Sequence, residues 1–320
     1  MFADTKSHLS EFTILRFHMH QTALTMKTPS NFSFWRTVYS HGWCALPPFH
    51  IDKERQVLLR VLDVGGGRPL LCSLSERNSS VVVRIQSKGS LTTAQRRDVR
   101  SQLTESLRLT EDLRDFYVEC RRHKDYRWIV KLGAGRLLRA PTVFEDVAKM
   151  ICTTNCTWGL TEIMVKNLTT KLGKHVRDGF YTFPAPEAIA GCTEAFMRKE
   201  IKSGYRSPYL LELAEAVSAK KLDIESWRNS SLPTVKLFDQ IHSVKGVGPY
   251  AAGNILKLVG RYDYLGLDSW VRKKYSEIHH NGRMIKDTTI ERRYASLGKW
   301  KGLFFWLEMT KDWYSEKFPF

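Results

Sequence analysis

The spacing of apolar positions changes about a third of the way along the chain. From Phe32 onward they come in short β-branched and aliphatic runs, at 34–39, 57–62, 70–74 and 81–85. Turn-forming clusters, notably Gly65-Gly66-Gly67 and Asn78-Ser79-Ser80, separate these runs, which predicts an antiparallel sheet. Helical spacing then takes over at 92–109 and 111–123. Beyond a basic segment at 133–141, helices are predicted over 142–153 and 157–172, the first capped by Thr142 with Glu145 completing a capping box. Two apolar helical segments, carrying Leu237, Phe238 and Ile241 and then Ile255, Leu256, Leu258 and Val259, meet at a tight turn. The run 294–313 reads as one last helix. Residues 1–30 hold no sustained period and are expected to form a disordered tail. The fold class is therefore α+β: an antiparallel sheet with helices over 31–135, then a mainly helical domain over 136–320 with a helical hairpin at 237–260.

A chain of 320 residues is long enough for two or three real cores. Its 50 Lys and Arg against 33 Asp and Glu give a formal charge of +17, which calls for a polyanionic partner. No apolar run approaches transmembrane length, so nucleic acid fits better than a membrane. The charge is also concentrated, because Lys245, Lys257, Arg261, Arg272, Lys273 and Lys274 crowd around the tight turn. The six cysteines form no Cys-x-x-Cys pair, and there is no secretory or clean targeting pattern. Reduced thiols in an intracellular protein are expected.

The turn itself is Lys245-Gly246-Val247-Gly248-Pro249-Tyr250. Its glycines tolerate positive φ and leave no Cβ in the way, so backbone N–H groups can approach a phosphate. Pro249 suits the first position of the second helix and Gly260 its end. Eighteen residues after Tyr250 comes Asp268, in a Gly-Leu-Asp-Ser-Trp turn before a basic helical segment. Taken alone, Asp268 reads first as the cap of that helix, a role that does not exclude acting on a nucleotide drawn out of a duplex. The aromatic and proline-dense segment 40–49 is read chiefly as packing between domains.

Such a hairpin, followed by a Gly-rich loop and an Asp, resembles the signature of the helix-hairpin-helix DNA glycosylase superfamily, which includes endonuclease III, 8-oxoguanine glycosylase and bacterial 3-methyladenine glycosylase II. The resemblance spans about residues 32–315 and is strongest over 141–275. It implies a TBP-like N-terminal α+β domain, as in the methyladenine and oxoguanine branches, and base excision from double-stranded DNA. Lys245, Gly246, Val247, Gly248 and Tyr250, with Arg272 and Lys273, would hold the DNA. Asp268 would stabilise an oxocarbenium-like sugar and orient water. The segment Cys152-Thr153-Thr154-Asn155-Cys156-Thr157-Trp158 is similar to the Ser-Ser-Asn-Asn-Asn junction of 8-oxoguanine glycosylase, which assigns Asn155 to the gap left by a flipped base. Tyr250, Asn254, Trp158, Phe305 and Met309 would form the base pocket.

Strand-nicking members place a lysine where this chain has Tyr250. A phenol forms no Schiff base, so a monofunctional hydrolase that leaves an abasic site is expected. An aromatic in this slot matches the methyladenine branch and favours an alkylated purine, whereas the Asn155 junction points toward oxidised bases. A glycosylase for oxidised or deaminated bases, or a non-catalytic DNA-binding hairpin protein in which Asp268 is only a cap, are the alternatives. No organic cofactor is implied. The four cysteines that hold an iron–sulfur cluster in some relatives lie near the C-terminus, where this chain has none, so no cluster is expected. The only metal implied is a monovalent cation at the hairpin carbonyls. A monomer associated with DNA, in a bacterial cytoplasm or a nucleus, completes the expectation.

Overall fold

The computed structural model describes residues 20–65, 68–177 and 179–315. Five strands, β1 (His20–Lys27), β2 (Phe49–Asp52), β3 (Val57–Val64), β4 (Arg68–Arg77) and β5 (Ser80–Ser87), form one antiparallel sheet in the order β1-β5-β4-β3-β2. Two sequence expectations fail here. Residues 20–27, assigned to a disordered tail, are an edge strand in which Thr22, Leu24 and Met26 alternate inward and Leu24 pairs with Val83. The run at 34–39, expected as a strand, is a short helix, α1 (Phe34–Val38), that buries Phe34, Thr37 and Val38. Those positions are i, i+3 and i+4, the spacing of a helix face rather than of a pleat.

The remaining principal helices are α2 (Thr93–Leu107), α3 (Arg114–Arg122), α4 (Val143–Thr153), α5 (Trp158–Leu172), α6 (Ser207–Ser218), α7 (Thr234–His242), α8 (Pro249–Val259), α9 (Ser269–His280), α10 (Asp287–Tyr294) and α11 (Lys301–Met309). Their starts follow local chemistry. Thr92 and Gln95 close a reciprocal capping box on α2, and Thr157 caps α5. At α4, Thr142 accepts from the Glu145 N–H, but Glu145 does not complete the box. Its carboxylate is drawn inside by Arg60 at 2.6 Å and Lys149 at 2.8 Å, and the Val143 and Phe144 N–H groups donate instead to Glu225, each at 2.9 Å. The expected single C-terminal helix is broken, because Gly298 lies at φ +53, ψ −128 in the 3-10 segment Ala295–Trp300 before α11 begins.

The two hydrophobic cores do not divide at the predicted boundary near residue 135. One joins the inner face of the sheet and α2 to α4–α8; the other joins α3 and the Ile129–Leu137 region to α9–α11 through Phe116, Tyr275, Tyr294 and Phe304. Residues 113–137 thus pack with α9–α11 rather than with the sheet. Among the described residues, no helix is long and apolar enough to cross a membrane.

Candidate active site

The hairpin is formed by α7 and α8. Gly246 is at φ +82, where a side chain is strained, and an added Cβ would lie 2.6 Å from the Tyr209 ring. Gly248 is different: at φ −76, ψ 176 any residue fits the backbone, and an added Cβ meets no protein atom. What its missing side chain leaves open is outside space at the start of α8. Pro249 occupies the first helical turn and no side chain caps it, so the first free N–H groups of α8 face outward for an external acceptor. Val247 is buried and its N–H is spent on the Val244 carbonyl at 3.0 Å, which holds the turn. Lys245 is exposed and pairs with Glu212 at 2.6 Å, a surface contact that exchanges readily for another anion. Gly260, at φ +96, ends α8 as expected. The carbonyls there are satisfied from a distance: Arg108 donates to Lys257 and Leu258, both at 3.0 Å, and Arg139 to Leu258 at 2.9 Å.

Helix α8 also fixes the loop that carries Asp268. At Gly253 the Cα of Gly266 lies 2.9 Å from where a Cβ would stand, so loop and helix touch backbone to backbone. Gly266, at φ +71, in turn faces Lys257 and Asn254. Two residues on, Asp268 both caps a helix and lines a cavity. One oxygen, Oδ1, accepts from the Val271 N–H at 2.7 Å and caps α9, while the residue stands on the wall of a cavity of about 1040 Å³. Tyr250, half-buried in α8, points its hydroxyl at Asp268; burial first, and then this carboxylate, push the phenol's pKa well above its usual value.

Tyr250, Asn254, Trp158, Asn155 and Arg272 all line that cavity with Asp268. Asn254 donates to the Tyr250 carbonyl at 3.0 Å, so its amide nitrogen is already engaged. Trp158 lies over Gly42, where an added Cβ would come within 2.3 Å of the indole, and donates to Glu162 at 3.0 Å. Asn155 is exposed at the α4–α5 junction in the left-handed region, φ +46. Arg272 is held by Asp287 at 2.7 and 2.8 Å. Lys273 is exposed on α9, 3.9 Å from Glu277, and does not line the cavity.

Phe305 and Met309 require correction. Both are fully buried in the C-terminal core, Phe305 edge-on to Tyr294 at 5.2 Å, and neither lines the cavity. The face of α11 turned to the cavity carries Trp306, joined by Trp270 and Trp313. The segment 40–49 does more than pack, since His41, Gly42 and Trp43 line the same cavity. His41 donates from Nε2 to the Leu138 carbonyl, and burial pushes its pKa down to about 4, which keeps the ring neutral.

The residue that sequence reasoning placed least well is Lys257. Counted there among the basic residues around the turn, it is 3% exposed, donates from Nζ to the Leu265 carbonyl at 2.7 Å and stands 5.4 Å from the Trp306 ring. Burial pushes its pKa down to about 7 against the opposing pull of Asp268. Its spacing was a signal, because Tyr250, Asn254 and Lys257 follow one another at i+4 and i+3 along one helix face. Among the described residues, no cluster of three or more His, Cys, Asp or Glu gathers as a metal site.

No protein-family model matches the chain, and no curated protein matches it either. Solved structures do. A 3-methyladenine DNA glycosylase from Archaeoglobus fulgidus aligns with a TM-score of 0.72 at 18% identity, covering 91% of this chain and 99% of that one. The Clostridium acetobutylicum 8-oxoguanine glycosylase/lyase gives 0.69 at 19% identity, over 91% and 98%. MBOgg1 in complex with a low-affinity DNA ligand gives 0.69 at 18%, over 92% and 99%. Aligned over nine-tenths of its length, the chain has the fold of these solved DNA glycosylases.

Proposed function

We propose that the protein is a monofunctional DNA glycosylase of base excision repair. The observation that carries this reading is the position of Asp268, held as a helix cap on the wall of an aromatic cavity that the uncapped start of α8 also lines. A pure DNA-binding hairpin needs neither the cavity nor a carboxylate inside it.

The steps follow from the residues. The start of α8, Lys245 and Arg272 hold the backbone of the duplex, and a base is turned out at a cost of a few kcal/mol, least for a damaged or mispaired one. Asn155, exposed at its junction, fills the gap. Trp158, Trp270 and Trp306 offer faces for stacking, worth about 1–3 kcal/mol per base. As the glycosidic bond breaks, the Asp268 carboxylate stabilises the cationic sugar and takes a proton from the attacking water. The Tyr250 hydroxyl stays protonated and steadies Asp268 by donating to it. With no amine at that position, the product is an abasic site in an unbroken strand. This chemistry needs no organic cofactor and no iron–sulfur cluster. A monovalent cation at the hairpin carbonyls would serve only the phosphate grip.

Tyr250 in this slot supports an alkylated purine, whose positive ring leaves readily. The Lys257 ammonium in the same cavity argues the other way, because like charges repel strongly in a partly desolvated site.

Base release from duplexes carrying methylated, deaminated or oxidised bases, with abasic sites revealed by alkali, tests the proposal. One lesion class released by the wild type and not by Asp268→Asn supports it. Equal duplex binding by both proteins without release of any base would make the chain a DNA-binding module.

A further inference from the structure

We propose that Lys257 is the hydrogen-bond and proton donor to the departing base, and that it restricts the substrate to neutral bases bearing a carbonyl acceptor, excluding cationic alkylated purines. This rests on the glycosylase reading and names its substrate class. Lys257 stands seven residues beyond Tyr250 on the same helix face. At 1.5 Å of rise per residue that is about 10 Å further along α8. With Tyr250 and Asp268 at the sugar, Lys257 meets the far edge of a base whose plane runs along the cavity. An ammonium has three donors, and among the described residues its one hydrogen bond goes to Leu265, so two remain for an occupant. The Trp306 ring at 5.4 Å favours the protonated form beside an aromatic surface.

The location is built rather than incidental. Burying a lysine is costly unless something is gained, and among the described residues it is the Leu265 carbonyl, Trp306, the neutral His41, Asn254 and the more distant Asp268 that surround it. Gly266 is left without a side chain where Nζ stands, an added Cβ falling 3.0 Å from it. The chemistry balances. The C1′–N bond breaks with its electron pair going to the base, and Nζ–H protonates the base on its carbonyl oxygen or conjugated nitrogen. Water adds to C1′ and passes its proton to Asp268, and solvent exchange then restores Lys257 and Asp268. A neutral base needs this proton because it leaves poorly as an anion; a cationic alkylated purine needs none. In this role Nζ acts as an acid toward the departing base and not as a Schiff-base nucleophile at C1′.

Carbonyl-bearing neutral bases arise by deamination (uracil, hypoxanthine) or by oxidation (8-oxoguanine), and separate duplexes tell them apart. The test compares single-turnover release of these bases and of 3-methyladenine by wild type, Lys257→Met and Lys257→Gln, the last retaining a donor for the Leu265 carbonyl. Circular dichroism and affinity for duplex with an abasic-site analogue report folding. The wild type is expected to release at least one neutral carbonyl base and to prefer it over 3-methyladenine by 100-fold or more. Lys257→Met and Lys257→Gln, folded and binding, should lose 100-fold or more on the neutral base and narrow or invert that preference. Wild-type release of the neutral base should decline as pH rises through about 7, where Lys257 gives up its proton. The other titratable or charged groups on the cavity wall are Asp268 on the loop, His41 in the 40–49 segment, Cys156 at the α4–α5 junction, Arg272 on α9, and Tyr250 on the lysine's own helix. The Lys257 variants should lose that decline.

Preferential release of 3-methyladenine by the wild type would overturn the assignment and leave the glycosylase reading standing. Equal losses on all substrates, or a pH profile unchanged in Lys257→Gln, would reduce Lys257 to a structural strut. A borohydride-trapped adduct that disappears with Lys257 would make it the nucleophile instead. Release of no base at all would sink both this inference and the reading on which it rests.

Discussion

Gly253→Ala sets two magnitudes against each other. In the middle of α8 the substitution removes a helix-disfavouring residue, and propensity alone promises about 1 kcal/mol of stabilisation. The contact with the Asp268 loop opposes this, since the new Cβ would stand 2.9 Å from the Gly266 Cα, 3.2 Å from its N and 3.2 Å from Tyr264 Cδ1. The first two are backbone atoms, so no side-chain rotation relieves them. Overpacking of this kind typically costs 1–3 kcal/mol, and the net expectation is a loss of about 0–2 kcal/mol. Activity should suffer far more. A displacement of several tenths of an ångström at Gly266 carries Asp268, two residues on, and misplacement by about 1 Å is worth roughly 100-fold in rate. Denaturant unfolding together with single-turnover base release decides the matter. The expected result is modest destabilisation with a rate loss of 10-fold or more at unchanged DNA affinity. A variant about 1 kcal/mol more stable than the wild type and fully active would refute the backbone-contact argument.

Three further outcomes are expected. Gly246→Ala places a side chain at φ +82 against the Tyr209 ring and should lower stability by about 1–3 kcal/mol and weaken duplex binding, as fluorescence anisotropy will show. Glu145→Gln leaves Arg60 and Lys149 buried without their counter-charge and should cost about 3–5 kcal/mol in urea unfolding. Burial alone would raise the Glu145 pKa, but Arg60 and Lys149 outweigh it and hold the carboxyl well below the usual range. Its contribution is therefore fully present above the unfolded value of about 4.3 and is lost as pH falls below it, and the Gln variant should lose that part of the acid sensitivity. Tyr250→Phe should fold normally and slow base release by about 10- to 100-fold, the worth of a hydrogen bond to a charged group; an unchanged rate would remove Tyr250 from the site.

What could be read from the sequence was what local chemistry fixes. Thr92, Thr157, Pro249 and Gly260 mark helix ends through groups within four residues of themselves, and Asp268 and the hairpin were found because turn and carboxylate lie close in sequence. What escaped depends on distant partners. Strand β1 has a weak alternation of its own and becomes a strand by pairing with β5, some sixty residues away. Glu145 has the right spacing for a capping box and is claimed by Arg60, 85 residues before it. On α11, Phe305 and Trp306 are neighbours with similar credentials, and only packing against Tyr294 decides which one is buried and which meets the cavity. Lys257 read as surface charge because a buried lysine leaves no mark in composition.

The central claim is that the carboxylate of Asp268 performs the chemistry while the hairpin grips the DNA. Single-turnover release of free base by wild type and Asp268→Asn, at DNA concentrations that saturate both, tests it most directly. Asparagine keeps an oxygen to accept from Val271 and so preserves the cap. The account predicts a rate loss of roughly 100- to 10,000-fold with DNA affinity and melting temperature close to wild type, a range set by the worth of general-base and electrostatic stabilisation. Equal rates for the two proteins would contradict it.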